Sequence, residues 1–215
     1  MIRIGTIRYD NGKQIQPSYP GYEKVVVMTP SSKYGSISPY MLFDEEGRNM
    51  ENIWQFSKVY SNVPKVTQCY SRYDKRIIWD HPQQKHFDGE KLTPEFFEWQ
   101  QKGFYNSDAV RYPVGFNHRH KCLFSVKDLK NKPYVSKEDK LSYIDARKQI
   151  YLPEYRRLVK EKKQYNDLKR KLAKGVNLLI LEVDGPKQTS LEYYKDKYKV
   201  GDDWIDEWSI ECNRE

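Results

Sequence analysis

Cysteine is scarce in this 215-residue chain, and its three cysteines (Cys69, Cys122 and Cys212) are odd in number and far apart. That excludes a disulfide framework and a zinc ribbon, and makes a reducing, cytoplasmic setting the expectation. Long apolar runs are missing as well. No stretch approaches the ~20 residues that cross a bilayer, and the start, MIRIGTIRYDNGK, lacks the basic-then-apolar pattern of a signal peptide, so no membrane partner is expected. Neither a Gly-rich phosphate loop, a P-loop nor a GxSxG elbow occurs, which argues against an NTPase, a Rossmann enzyme and an α/β-hydrolase.

What is present points elsewhere. Charged residues make up 32% and the usual apolar set 38%, with a mean hydropathy of -0.94. Those values alone would suggest disorder, but aromatics reach 14%, with 18 Tyr, 5 Trp and 8 Phe. Disordered chains are poor in rings, because rings are what a small core buries best; the chain is expected to fold. A net charge of +8 and a pI near 9.1 suit a polyanionic partner, whether DNA, RNA or a nucleotide conjugate. A surplus of solvated surface lysine would give the same balance.

Turn and periodicity signals predict an α+β fold: one compact domain over residues 1–215, with a helical C-terminal half and an aromatic-rich middle section, 61–135, as an insertion or lid. VVVM at 25–28 reads as a strand. Asp44-Glu45-Glu46-Gly47-Arg48 reads as a turn, Asn49 as a helix N-cap, and Glu51 to about Tyr60 as the helix that follows. In the middle section Thr93-Pro94-Glu95 opens a helix that Gly103 should stop. Ser136-Lys137-Glu138-Asp139 resembles a capping arrangement for a helix to about Tyr151. Pro153 then suits the first turn of a second helix, with Gly175 as its C-terminal stop, and residues 177–184 form a buried strand. Between Pro153 and Gly175 nine Lys/Arg face three acids, whereas the last fifteen residues hold six acids against Arg214. Such a basic helix is either a solvated face or a track for a phosphate backbone.

On a 3.6-residue period Glu51, Gln55 and Lys58 share one helix face with Trp54 beside them, while Ile53, Phe56 and Tyr60 form the core stripe. An acid, an amide, an amine and a ring on one face are either an ordinary surface ladder or a reactive constellation. The middle section holds a second polar group, Asn106-Ser107-Asp108-Ala109-Val110-Arg111 and Asn117-His118-Arg119-His120-Lys121-Cys122. Arg111 and Arg119 are suited to pairing with phosphates. On an extended strand His118, His120 and Cys122 would point one way, yet their spacing is no standard zinc pattern and a fourth ligand is not obvious. No metal and no cofactor are expected. Cys122 is a poor nucleophile candidate, because no orienting third residue accompanies it.

Tyr34-Gly35-Ser36-Ile37-Ser38-Pro39-Tyr40, followed by Glu51-Asn52-Ile53-Trp54-Gln55-Phe56-Ser57-Lys58, resembles the signature of the NADAR family, whose helix carries Glu-x-x-(aromatic)-Gln-x-x-Lys. The match is good over 34–60, looser over 145–185 and absent over the middle section. Ser38-Pro39 replaces the family's Ser-Asn, and its C-terminal Trp-Gly…Gly-x-Asn segment is not recognisable, with Asp184-Gly185 a partial stand-in. The resemblance implies an N-glycosidase that cleaves a bond between a base and ribose, removing ADP-ribose from a nucleobase or nucleic acid. Such cleavage builds positive charge on the sugar, which a carboxylate near C1 stabilises. In that reading Glu51, Lys58 and Asp184 are the catalytic candidates. Tyr34, Gly35, Ser36, Asn52, Trp54, Gln55, Asn106, Arg111 and Arg119 are the substrate-binding ones. The partner is an ADP-ribosyl or ribosyl conjugate, with DNA or RNA as a further one. The alternatives are a non-catalytic nucleic-acid-binding protein that uses the basic helix, or a binder that sequesters an ADP-ribose-type nucleotide.

Overall fold

The computed structural model describes residues 1–11, 13–27, 32–67 and 79–182. In chain order the elements are β1 (Ile2–Thr6), β2 (Arg8–Asp10), β3 (Lys13–Ile15), β4 (Tyr22–Val26), α1 (Met50–Gln55), β5 (Lys58–Val59), β6 (Asn62–Val63), β7 (Gln84–Lys85), α2 (Pro94–Phe104), β8 (Phe124–Ser125), α3 (Tyr143–Ala146), α4 (Leu152–Val159), α5 (Lys163–Ala173) and β9 (Asn177–Glu182). The fold is α+β. No helix among the described residues is long and apolar enough to cross a membrane. The chain divides into two compact units, Met1–Leu42 with Tyr155 onward, and Phe43–Glu154.

The first unit is built on a three-stranded parallel sheet ordered β1-β9-β4, with Ile4 and Val25 both opposite Ile180. β9 is central, so it is covered by a strand on each side and reads as an unbroken apolar run, with Leu178, Leu179 and Leu181 buried. The predicted strand is thus present over Asn177–Glu182, while Asp184 and the turn after it lie outside the described residues. Of the VVVM strand, Val25 and Val26 belong to β4, and Met28 lies outside the described residues. α5 packs on β9, and Leu168 is its buried residue. It ends at Gly175, whose φ of 79° lets its own N–H reach the Leu172 carbonyl (2.9 Å) and the Val176 N–H reach that of Lys171 (3.0 Å).

The helix expected from Pro153 to Gly175 is two helices. The chain turns at 160–162, where the Asn166 side chain donates to the carbonyls of Lys160 (3.0 Å) and Lys162 (3.3 Å) and so satisfies the end of α4. Upstream, the Ser136–Asp139 box does form, with Asp139 N donating to Ser136 Oγ at 3.2 Å and Ser136 N to Asp139 Oδ2 at 3.1 Å. It caps only a turn, because Leu141 then pairs in extended form with Ser125. The helix starts one box later: Ser142 accepts from Asp145 N (3.1 Å), and α3 runs through a π-helical turn, Arg147–Tyr151, into α4. Pro153 therefore sits just after a widened turn, where its missing N–H is tolerated.

The second unit has its own core of Phe56, Tyr60, Val63, Trp79, Phe96, Trp99, Val110, Val126 and their neighbours. Most of it comes from residues 61–135, with Phe56, Val59 and Tyr60 from the segment that follows α1. Thr93 caps α2, accepting from Phe96 N at 3.3 Å. Gly103 does not stop this helix but lies inside it, since a Cβ there would stand 2.1 Å from the Phe56 ring.

Candidate active site on helix α1

The Asp44–Arg48 turn that leads into α1 is held by Asp44, whose carboxylate accepts from Glu46 N (3.0 Å), Arg48 N (2.7 Å) and Arg48 Nε (2.7 Å). Gly47 adopts the positive φ (81°) that the turn needs. Asn49 then caps α1, accepting from Glu51 N at 2.9 Å and Asn52 N at 3.4 Å. The expected helix to Tyr60 is cut short at Gln55. Ser57 Oγ donates to the Trp54 carbonyl (2.8 Å), buried Gln100 donates to the Phe56 carbonyl (3.0 Å), and Lys58–Val59 pairs with Phe124–Ser125 as a strand. Sheet pairing with a distant segment overrides the helical period.

Lys58 nevertheless reaches back to the helix. Its Nζ donates to Gln55 Oε1 at 2.9 Å, and Gln55 Nε2 donates to Glu51 Oε1 at 2.8 Å, so the acid, amide and amine form one directed chain. Glu51 is only 8% exposed and Trp54 2%, so this is no solvated surface ladder. Lys58 Nζ lies 4.8 Å from the centre of the Trp54 ring. Burial pushes the amine below its usual 10.5, and Arg147 adds to that, while Cys122 and Glu51 oppose it. Cys122 is half-buried, and burial pushes its thiol above the usual 9.0.

Trp54 is walled in by Tyr143 and Tyr151, both edge-on, at centroid distances of 5.5 and 5.6 Å. Its ring is covered by side chains of the protein and is not an open stacking platform. Arg147, buried on the π-helical turn, places its guanidinium 5.0 Å from the Trp54 centroid and 3.5 Å from that of Tyr151. Sequence reasoning missed Arg147. The only signal was an arginine among the apolar positions of the 143–151 helix, and its inward aim depends on the π turn.

Asn52, on another side of α1, is fully buried and serves as a latch. Its amide donates to the carbonyls of Asn106 (3.1 Å) and Asp108 (3.0 Å), and its Oδ1 accepts from Val110 N (2.7 Å). Asn106 Oδ1 accepts from Asp108 N at 2.9 Å. The structure thus brings Asn52 and Asn106 together through backbone contacts, with Arg111 next along the chain, half-buried and 5.2 Å from the Tyr112 centroid. Arg119 stands exposed on a 3-10 turn, Phe116–Lys121. That helical turn replaces the extended strand on which His118, His120 and Cys122 were to align. Among the described residues no group of three His, Cys, Asp or Glu is placed to hold a metal ion.

Tyr34, Gly35 and Ser36 belong to the first unit, at the start of a 3-10 turn. Tyr34 is buried, donating its hydroxyl to Asp167 Oδ2 (3.0 Å) and accepting from Lys171 Nζ (3.0 Å); Lys171 also bonds Glu23.

The chain matches no family model, no curated protein and no solved structure. The resemblance in residues 34–60 therefore stands on those residues alone.

Proposed function

We propose that the protein is an N-glycosidase that hydrolyses the bond between a base and ribose, with an ADP-ribosylated nucleobase or nucleic acid as substrate. The observation that carries this reading is the Glu51–Gln55–Lys58 chain beside Trp54, with Glu51 buried and Gln55 and Lys58 half-buried. A carboxylate is fixed by a donated hydrogen bond, and an amine is held below its ordinary pKa. Glu51 acts as acid/base and as electrostatic partner to the charge that develops on the sugar. The unprotonated form of the Lys58 amine attacks C1, the C1–N bond to the base breaks, and the base departs with one amine proton. The C1–O4′ bond of the resulting glycosylamine then breaks, O4′ takes the second amine proton and a Lys–C1 imine forms; water cleaves that imine, returning the free amine and leaving its oxygen on C1. Gln55 orients both groups.

Incubation with ADP-ribosylated DNA, followed by mass spectrometry, tests the reading. The expected outcome is release of ADP-ribose, reduced about 10²–10⁴-fold by Glu51→Gln. Borohydride should trap a sugar adduct on the native chain and none on Lys58→Ala. Because the amine must be free, the limb of kcat/KM that rises with pH should lie below 10.5. Turnover that survives both substitutions would end the proposal.

A further inference from the structure

The cations of the 153–174 segment are sorted by the fold into two sets. Lys171 turns inward to Glu23 and Tyr34, with Asp167 also turned toward Tyr34. Lys163, Lys169, Arg170 and Lys174 point to solvent at helical spacing on one face of α5 and its C-terminal cap, joined by Asn166 and Ala173. That exposed face carries no acid. Arg170 lies 3.8 Å from Asp167, whereas Lys163, Lys169 and Lys174 have no carboxylate in ion-pair range among the described residues. The face opens as a hollow of ≈ 620 Å³ lined by Lys163, Asn166, Lys169, Arg170 and Ala173. Its floor is held in place: Asn166 ties the α4–α5 turn through two backbone carbonyls, and Leu168 anchors the opposite side of the helix in the core.

We infer that this face of α5 binds nucleic acid through the phosphate backbone. From Lys163 to Lys174 the helix rises about 16 Å, which spans about five phosphates of one strand at ~3.4 Å each. Lys163, Lys169 and Lys174, with no carboxylate in range among the described residues, neutralise phosphates without first breaking an ion pair there, and a pre-set helix face lowers the ordering cost of binding. The contact reads charge and not base sequence. It is independent of the glycosidase reading, because it uses no residue of the α1 site.

The test is fluorescence anisotropy of a labelled oligonucleotide with the full chain between 50 and 200 mM salt. The native protein should lose affinity steeply with salt, and Lys163→Gln/Lys169→Gln/Lys174→Gln should flatten the log–log slope by about three, near one per phosphate contact. A control triple, Lys91→Gln/Lys127→Gln/Lys132→Gln, removes equal charge from exposed positions of the other unit and should leave the slope unchanged. Glu51→Gln should bind like the native chain. Absence of binding at 50 mM salt, an equal effect from the control triple, or binding to phosphatidylserine vesicles in preference to the oligonucleotide would each overturn the inference. All three substituted side chains on α5 are exposed, so an unchanged thermal melt should accompany any loss.

Discussion

At the residue scale, burial separates two kinds of polar group on α1. Glu51 and Gln55 bond each other and, through Gln55, Lys58 of β5, whereas the Asn52 amide is engaged by the backbone of 106–110. Asn52→Ala would leave the Val110 N–H buried and unpaired and release that loop. We expect a loss of about 2–4 kcal/mol in urea denaturation. If Asn52 instead served mainly in substrate contact, KM would rise with stability intact. From sequence, Asn52 and Glu51 look alike, as polar residues in the first turn of a helix. Which of them holds a loop depends on a segment more than fifty positions away, and no helical period encodes that.

At the element scale, the signals that were legible are those with short reach. Asn49 and Thr93 start their helices, and Gly175 ends its own, where the sequence predicts, because a cap needs only donors or a positive φ within a few residues. Gly103 shows the opposite case. It resembles a helix stop, yet it serves close packing, with the Phe56 ring in the space its side chain would fill. Gly103→Ala should destabilise the protein at the upper end of the about 1–3 kcal/mol typical of overpacking. That would exceed the ~1 kcal/mol alanine gains in a helix interior. A denaturant midpoint that rises in this variant would show that the core yields there. The Ser136–Asp139 box failed as a helix start for a related reason: Leu141 is claimed by Ser125 through two backbone bonds of 2.9 Å.

At the scale of the whole molecule, the large aromatic content is what lets so charged a chain fold, and the second unit shows how. Phe56, Trp79, Phe96 and Trp99 pack with two histidines: His81 stacks on Trp79 at 5.7 Å, and His86 sits 4.8 Å from Trp99. Their Nδ1 atoms have no hydrogen-bond partner among the described residues, and burial lowers His81 to about 4 and His86 to about 3. Below about 6.5 the unfolded chain takes up protons that the folded one refuses. Stability should therefore be fully present above pH 6.5 and fall as the pH drops toward 4, with a slope bounded at about 1.4 kcal/mol per pH unit for each histidine. Chemical denaturation at pH 7, 6, 5 and 4 measures it. His81→Leu/His86→Leu should flatten this limb, and a limb unchanged in that variant would assign it to carboxylates instead.

The sequence by itself determined the α+β class, the capped starts of α1 and α2, the apolar central strand β9 and the Glu-x-x-Trp-Gln-x-x-Lys spacing, because each rests on contacts among neighbours in the chain or on one residue's own φ. Only the tertiary structure decided that α1 stops at Gln55, that Lys58 returns to it from a strand, that Glu51 and Trp54 are buried, and that Arg147 joins them from a π-helical turn. Those outcomes follow from backbone pairing and ring packing between segments more than sixty positions apart. Such contacts compete with local propensity and, where a core is at stake, outweigh it.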